Sequence, residues 1–376
     1  MPTSGHATIN AVRRGSGTGC NWPASDRRHR PATDQFMSPE SPRHAALRQF
    51  AIAALRDPSL TLVPASVDAS FRSYWRSGST HGNHIVMDAP TEHEDVAPWL
   101  DVAARLEKAG VHVPHVVASD LAQGFVLMED LGNRTYLPEL NADSVDGLYG
   151  AALDALLAMQ TGADASGLPS YDRERLLTEM RLLPTWFLEK HFGHAPTGDE
   201  TAVIERAFCW LADVAAEQPS VFVHRDFHSR NLLVCENNNP GVIDFQDAVL
   251  GPITYDLVSL LRDCYIEWDD ARVEAWVEGY RQRALEAGLI DASVDANQFR
   301  RWFDLIGVQR HIKVLGIFCR LWYRDGKPQY LGDLPLVWRY TIRIARRYPE
   351  LSNLVAVLEA AVGDRDLTHA ISASLA

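Results

Sequence analysis

The sequence contains little cysteine, and its cysteines are not grouped. The five cysteines among 376 residues are Cys20, Cys209, Cys235, Cys264 and Cys319, which lie far apart and never form a C-x-x-C motif. Disulfide scaffolds and zinc sites both need cysteines in recognisable groups. The pattern therefore favours reduced thiols in a cytoplasmic protein.

Long apolar runs and an excess of positive charge are also missing. No apolar run approaches the roughly 18 residues of a membrane span, and residues 1–36 lack the apolar segment of a signal peptide. Lysine and arginine number 36 against 49 aspartates and glutamates, which gives a net charge of −13. Such an acidic chain is a poor candidate for nucleic-acid binding, although local cations can still hold a small anion. We expect neither a nucleic-acid nor a membrane partner.

Three regions of the chain differ in residue pattern. Residues 1–36 are rich in Gly, Ser, Pro and Arg without a periodic apolar face, which predicts a disordered extension. Residues 37–131 contain segments in the order helix, hairpin, strand, helix, strand, strand, which predicts a small β-rich lobe. Residues 132–376 contain long helical runs, among them residues 173–192, and one strand pair. The chain is 46% hydrophobic, enough to bury the core of a bilobal α+β fold with a linker in residues 128–140.

The strand pair lies in residues 222–247, FVHRDFHSRNLLVCENNNPGVIDFQD, and carries polar side chains where its apolar runs end. Asp226 and Asn231 flank the loop before LLV, and Asp244 follows VI. The ends of paired strands lie close together in a hairpin, so Asn231 and Asp244 are expected to face one mouth. A carboxylate and an amide oxygen are suitable ligands for Mg²⁺. Asp226 can orient a substrate hydroxyl and accept its proton, which is the arrangement that phosphoryl transfer requires.

This segment resembles the protein-kinase-like phosphotransferases that include aminoglycoside and choline kinases. The motif H-R-D-x4-N matches His224-Arg225-Asp226 and Asn231, and the D-F-G aspartate matches Asp244. The resemblance implies a bilobal kinase-like fold, ATP and Mg²⁺ as cofactors, Asp226 as catalytic base, and Asn231 and Asp244 as metal ligands. The further roles that it implies are neutralisation of the transferring phosphate by His228 and Arg230, and support of the catalytic loop by His224 and Asp256.

A closer resemblance covers most of residues 43–352. The segments DASFRSYWR, IVMDAP, GFVLMEDLG and PGVIDFQDAVLGPITYDLVSLLRDCYI are similar to those of the anomeric sugar kinases of peptidoglycan recycling. Those enzymes use ATP to phosphorylate the anomeric hydroxyl of N-acetylmuramate or N-acetylglucosamine, and their α-1-phosphate product goes to a uridylyltransferase. The resemblance implies the same reaction here, with nucleotide bound by residues 37–131 and with catalysis and sugar binding in residues 132–376.

Two nucleotide-binding features of protein kinases are absent from the sequence. No glycine occurs in residues 63–76, where a glycine-rich loop would cover the phosphates. Met87 and Asp88 stand where the third strand of a kinase carries a lysine. We predict that Arg72 or Arg76 supplies the missing charge and that Ser70 donates to a phosphate. The alternative is that both arginines are solvated strand residues.

The remaining predicted contacts concern adenine and the sugar. The connector GFVLMEDLG is expected to hydrogen-bond adenine through the backbone, although a plain edge strand would carry the same residues. N-acetylmuramate has a lactyl carboxylate, which a cation should meet. The residues concerned are Met128, Glu129 and Asp130 for adenine, and Arg262, Asp263, His311 and Lys313 for the sugar. The alternative for each of the four sugar candidates is an ordinary core or surface position.

Two other functions fit the same motif. The first is a kinase of another small hydroxyl compound such as an aminoglycoside, because a polycation would suit the acidic chain. The second is a non-catalytic kinase fold that binds nucleotide or a partner, because the third-strand lysine is missing. Retention of Asp226, Asn231 and Asp244 favours a working enzyme over the second alternative.

Overall fold

The computed structural model describes residues 41–67, 71–78 and 82–369. The extension predicted for residues 1–36 and the phosphate contact predicted for Ser70 both lie outside these residues. Within the described ranges, the helices are all too short or too polar to cross a membrane.

The N-terminal part is an antiparallel sheet with two helices, in the order that the sequence predicts. α1 (Pro42–Leu55) begins after Ser41, whose hydroxyl accepts a hydrogen bond from the backbone N–H of His44 at 3.1 Å. The sheet order is β1-β2-β3-β5-β4. Its strands are β1 (Thr61–Val67), β2 (Ser73–Gly78), β3 (His84–Asp88), β4 (Val116–Asp120) and β5 (Phe125–Glu129), and α2 (Ala97–Lys108) joins β3 to β4. Alternation does not identify β1, an edge strand that tolerates Pro64 beside a register shift.

The two faces of this sheet have different partners because side chains alternate along each strand. Trp75, Val86 and Leu127 are paired across β2, β3 and β5 and pack under α1 in a small separate core. Met87 and Met128 belong to the opposite face and join the main core, which continues into the C-terminal part. The face opposite α1 is therefore the one directed toward the helices that follow.

The C-terminal part is mainly helical, as predicted, with two short strand pairs. The helices are α3 (Tyr136–Glu139), α4 (Val145–Gly162), α5 (Arg173–Met180), a π-helix (Leu183–His191), α6 (Gly198–Ala216), α7 (Tyr255–Leu261), α8 (Asp270–Glu286), α9 (Ala296–Tyr323), α10 (Leu334–Ala345) and α11 (Ser352–Val362), with 3₁₀ turns at Pro328–Asp333 and Pro349–Leu351. The strands are β6 (Ser220–Val223), β7 (Leu232–Leu233), β8 (Gly241–Val242) and β9 (Val249–Pro252). The run 173–192 is two helices rather than one, because Pro184 cannot donate the hydrogen bond that a continuous α-helix needs.

The long helix α9 passes through the centre of this part. Every residue from Trp302 to Gly316 is buried, so the helix has no polar face over that stretch. Arg310, His311 and Lys313 lie within it and must find partners inside the protein, because an unpaired buried charge is costly. These partners connect α9 to the segment that carries the predicted motif.

Candidate active site

The strand pair predicted in residues 222–247 is present. Leu232 of β7 pairs with Val242 of β8, and the Ile243 N–H donates to the Asn231 carbonyl at 3.1 Å. Asn231 and Asp244 therefore lie at the same end of the pair, where Nδ2 of Asn231 donates to Oδ2 of Asp244 at 3.2 Å. The predicted proximity of these two side chains is confirmed, and their role as metal ligands stays a prediction.

Asn231 also holds the backbone of the predicted base. Its Nδ2 donates a second hydrogen bond to the carbonyl of Asp226 at 2.9 Å. The N–H of His228 donates to the same carbonyl at 3.0 Å, and the N–H of Asn231 donates to the carbonyl of His228 at 2.9 Å. These bonds shape residues 226–231 into a compact catalytic loop. The amide nitrogen of Asn231 is thus committed to two acceptors, and its oxygen is left to face a ligand.

The donor set suits a cation that is partly held by phosphates. Asn231 and Asp244 offer an amide oxygen and a carboxylate, while Gln246 Nε2 orients Asp244 by donating to Oδ1 at 2.7 Å. Among the described residues, no group of three or more His, Cys, Asp or Glu side chains forms a metal centre by itself. Mg²⁺ typically takes one or two protein ligands and completes its shell with water and substrate phosphates. The residues present fit that mode of binding.

Asp256 braces the catalytic loop from below. It lies in the first turn of α7, is fully buried, and accepts the backbone N–H groups of His224 at 2.7 Å and Arg225 at 2.9 Å. Burial raises the pKa of the Asp256 carboxyl to about 7, against the opposing effect of these two donors. His224 connects the loop to the strand before Asp244, since its Nε2 lies 3.1 Å from the carbonyl of Ile243. These bonds are of the kind that a supporting role requires, and the roles of His224 and Asp256 stay predictions.

Two residues of the motif have left-handed backbone conformations. Arg225 has a φ of 77° and Asp244 a φ of 66°. Such angles are uncommon for residues other than glycine and often occur at functional sites, where surrounding contacts must maintain them. At Arg225 those contacts are the bond from its N–H to Asp256 and an ion pair of its side chain.

That ion pair belongs to a buried cluster that the sequence analysis does not identify. The Arg225 guanidinium lies 2.5 Å from the carboxylate of Glu179 in α5, and Nζ of Lys313 in α9 lies 3.1 Å from the same carboxylate. Tyr171 donates its hydroxyl to Glu179, and Lys313 also donates to the hydroxyl of Tyr255 at 3.1 Å. Burial alone would raise the pKa of Glu179, but Lys313 and Arg225 hold it below its ordinary value. The cluster therefore places two cations beneath the catalytic loop.

These cations act on Asp226. Burial by itself would raise the pKa of this carboxyl, but the combined effect of Lys313, His228, Arg225 and Arg310 outweighs burial and holds the pKa below its ordinary value. Asp226 is consequently ionised near neutral pH and able to accept a proton. Lys313, predicted as a sugar contact, instead lies under the loop with its amine engaged by Glu179 and Tyr255.

The other predicted sugar contacts also have internal partners. Arg262 is 2% exposed and its guanidinium lies 2.5 Å from Asp304. His311 is fully buried, with Nε2 at 3.0 Å from the carbonyl of Arg262. Asp263 accepts hydrogen bonds from the N–H of Ser229 at 2.9 Å and from its hydroxyl at 2.5 Å, which ties the segment after α7 to the catalytic loop. Engagement inside the fold argues against direct sugar contact by these three side chains and points to support of the loop.

The remaining loop side chains are more open. His228 is half-buried and its ring meets the Tyr265 ring edge-on, with centroids 5.5 Å apart. Nδ1 of His228 is a buried nitrogen without a hydrogen-bond partner in the described part of the chain. The Arg230 guanidinium lies over the Tyr265 ring at 3.5 Å from its centroid. Both residues are thus placed where they can meet a bound molecule.

On the nucleotide side, the two candidate arginines are at opposite ends of β2. Arg72 precedes the strand and pairs with Glu94 near α2 at 3.2 Å, whereas Arg76 pairs with Asp130 in the connector at 2.6 Å. Met87 is buried in the position of the missing lysine. Arg72 therefore lies at the end of the sheet away from the connector.

The connector leaves the sheet after β5. Met128 is paired with Ile85 of β3 on one side and with Val116 of β4 on the other. The N–H of Glu129 donates to the carbonyl of His115 at 2.9 Å. Adenine recognition by the predicted backbone groups would consequently rely most on Asp130, the first residue beyond the sheet.

The chain is similar in sequence to a known protein family and to several named proteins. The model of the phosphotransferase enzyme family (APH) matches residues 61–289. A protein of Pseudomonas aeruginosa named N-acetylmuramate/N-acetylglucosamine kinase is 46% identical over 301 residues, which cover 80% of this chain and 88% of that protein. A protein of the same name from Neisseria meningitidis serogroup B is 42% identical over 318 residues, which cover 83% and 93%.

The fold also matches solved structures. The crystal structure of an ADP-bound aminoglycoside phosphotransferase aligns with a TM-score of 0.53 and 16% identity, and the match covers 80% of this chain and 98% of that chain. The kinase-like α+β fold predicted from the sequence is therefore confirmed.

Proposed function

This chain belongs to the phosphotransferase enzyme family, and from that premise we propose that it uses ATP to phosphorylate the anomeric hydroxyl of N-acetylmuramate and N-acetylglucosamine. The product would be the α-1-phosphate of the sugar. The proposal is supported by relatives that carry the name of this kinase and match most of the chain. The observation that carries it is the hydrogen-bonded assembly of Asp226, Asn231 and Asp244 at the mouth of one strand pair.

In the proposed reaction Asp226 orients the anomeric hydroxyl and accepts its proton as the oxygen attacks the γ-phosphate. Asn231 and Asp244 hold Mg²⁺, which when bound neutralises phosphate charge. His228 faces the transferring group from the same loop and supplies a donor to it. Arg72 takes the position of the missing lysine toward the phosphates, and Asp130 with the adjoining connector binds adenine.

We place the reaction in the recycling of cell-wall amino sugars. An α-1-phosphate of an amino sugar is the form that a uridylyltransferase converts to a nucleotide sugar. We propose that this second enzyme takes the product after its release, without forming a stable complex with the kinase.

Two other functions compete with this proposal. Several structures of similar fold are aminoglycoside phosphotransferases, but at 15–16% identity they bear on the fold alone. An acceptor with several positive charges would have to approach Arg230 on the catalytic loop, which disfavours it. A non-catalytic role is disfavoured because Asp226 is ionised and the loop around it is held in place by Asp256 and Asn231.

The test is phosphate transfer from ATP and Mg²⁺ to N-acetylmuramate, N-acetylglucosamine and kanamycin, with ³¹P NMR of the product. We expect an anomeric phosphate on both amino sugars and none on kanamycin. Transfer to kanamycin alone would move the function to the antibiotic, and transfer to none of the three would favour a non-catalytic role.

A further inference from the structure

A group of partly exposed and buried aromatic rings adjoins the catalytic loop. We call Tyr265, Phe318 and Tyr330 the aromatic shelf. The Tyr265 and Phe318 rings are stacked with centroids 6.3 Å apart, and the Phe318 and Tyr330 rings lie 5.2 Å apart. Tyr265 also meets the ring of His228, two residues after the predicted base. The shelf therefore begins at the catalytic loop and continues to the 3₁₀ turn Pro328–Asp333.

Arg230 lies on this shelf with its donors available. Its guanidinium is 3.5 Å from the Tyr265 ring centroid, and 41% of its side chain is exposed. A guanidinium over a ring keeps its N–H groups directed outward at its edges. The facing acid is Asp333 at 3.9 Å, beyond hydrogen-bonding distance. In the described part of the chain, no acceptor forms a hydrogen bond with Arg230.

The other arginines around the loop differ from Arg230 in both burial and partners. Arg225 binds Glu179, Arg262 binds Asp304, and Arg310 lies 3.2 Å from the sulfur of Cys264. These three are at most 6% exposed. Among the arginines of this region that the structure describes, Arg230 is thus the one that presents its charge to an incoming molecule.

Building on the proposed function, we infer that Arg230, fixed by the aromatic shelf, binds the lactyl carboxylate of N-acetylmuramate. The two proposed sugars share the reacting hydroxyl and the N-acetyl group, and the lactyl ether on C3 distinguishes them. The carboxylate of that ether lies on the same sugar ring as the reacting hydroxyl, and Arg230 lies on the same short loop as the predicted base Asp226. Arginine and carboxylate form paired, charge-assisted hydrogen bonds. Arg230 is therefore a specificity-determining residue rather than a neutraliser of the transferred phosphate.

The test compares the two sugars in the full chain. We would measure kcat/KM for N-acetylmuramate and N-acetylglucosamine in the wild type, Arg230→Met and Arg230→Lys. We expect Arg230→Met to lower the ratio of kcat/KM for N-acetylmuramate to kcat/KM for N-acetylglucosamine by about 10- to 100-fold, the effect of losing a hydrogen bond to a charged group. Arg230→Lys should retain part of the preference as a point charge. The control Arg339→Met removes an exposed arginine of α10 that pairs with Glu267 and should leave the ratio unchanged.

A binding measurement separates this inference from the proposed function. Calorimetry with N-acetylmuramate, its methyl ester and N-acetylglucosamine requires no turnover. Loss of the preference for the free acid over the ester in Arg230→Met supports the subsite, even if the wild type transfers phosphate to neither sugar. An unchanged ratio of kcat/KM in Arg230→Met overturns the subsite. If kcat/KM falls equally for both sugars, the result would instead assign Arg230 to neutralisation of the transferred phosphate. A wild type that binds neither sugar overturns both proposals.

Discussion

The carboxylate of Glu179 binds the guanidinium of Arg225 at 2.5 Å in the interior of the protein. The pair joins α5 to the residue that precedes the predicted base, and Lys313 of α9 completes it at 3.1 Å. Three segments that are distant in the sequence thus meet beneath the catalytic loop. Removing the shared anion would leave two buried cations without their nearest counter-charge.

We therefore expect Glu179→Gln to lower the free energy of unfolding by about 3–5 kcal/mol, the usual cost of breaking a buried ion pair. Urea denaturation measures this effect. The matched control is Glu205→Gln, which removes a surface pair with Arg181 at 2.7 Å and should cost less than about 1 kcal/mol. Equal effects of the two substitutions would contradict the assignment of a special role to the buried cluster.

Substitution of the base should separate chemistry from binding. Asp226→Asn keeps the size of the side chain but cannot accept the proton, so we expect turnover to fall by about 10²- to 10⁴-fold. Binding of ATP, measured by calorimetry, should remain close to that of the wild type. Asp213→Asn, at an exposed carboxylate paired with Arg173, serves as control. Near-normal turnover in Asp226→Asn would remove Asp226 from the role of base.

Loss of a metal ligand should appear as a greater need for metal. Asp244→Asn is the suitable change, because asparagine tolerates the left-handed backbone at this position. We expect the Mg²⁺ concentration for half-maximal activity to rise by about tenfold or more, as even residues that only orient a ligand have effects of that size. A chelator should abolish wild-type activity. An unchanged Mg²⁺ dependence in Asp244→Asn would exclude this residue as a ligand.

The two arginines of β2 should have unequal effects on ATP. Arg72 lies at the end toward α2 and Arg76 at the connector. If Arg72 replaces the missing lysine, Arg72→Met should raise KM for ATP by about tenfold or more. Arg76→Met should have a smaller effect, because Arg76 lies at the connector and not at the end of the sheet where we place the phosphates. The reverse order would assign the replacement to Arg76, and steady-state kinetics with varied ATP decides between them.

A buried histidine should make stability depend on pH. Burial lowers the pKa of His311 in the folded protein to about 3, from an ordinary value of 6.5. Between these two pKa values His311 is protonated in the unfolded chain and neutral in the folded protein. The free energy of unfolding therefore falls as the pH decreases from about 6.5 toward 3. The slope for one such group is about 1.4 kcal/mol per pH unit.

His311→Gln should reduce this slope by about the contribution of one group, as measured by urea denaturation at several pH values between 7 and 5. His115→Gln, at an exposed histidine, is the control and should leave the slope nearly unchanged. A slope unaltered by His311→Gln would show that other groups account for the acid sensitivity.

The local sequence pattern was sufficient to predict the hairpin and the proximity of Asn231 and Asp244. It was insufficient to predict the buried ion pairs beneath the catalytic loop. Asn231 and Asp244 are brought together by strands only a few residues away, so spacing predicts their proximity. Glu179 and Lys313 meet over 134 positions of the chain through the packing of α5 on α9, which no local pattern encodes. Arg262 and His311 illustrate the same limit. The neighbouring sequence does not distinguish a polar residue in a fully buried helix from a polar residue at the surface.

The bonds that hold the catalytic loop have one further consequence. Asp256, Asp263, Glu179 and the backbone N–H of Leu137 all belong to the helical part that carries the loop itself. The described contacts that shape the loop thus come from the same part of the chain as the loop, and not from the five-stranded sheet. A nucleotide bound at the sheet would therefore meet a loop whose shape is set by the helices.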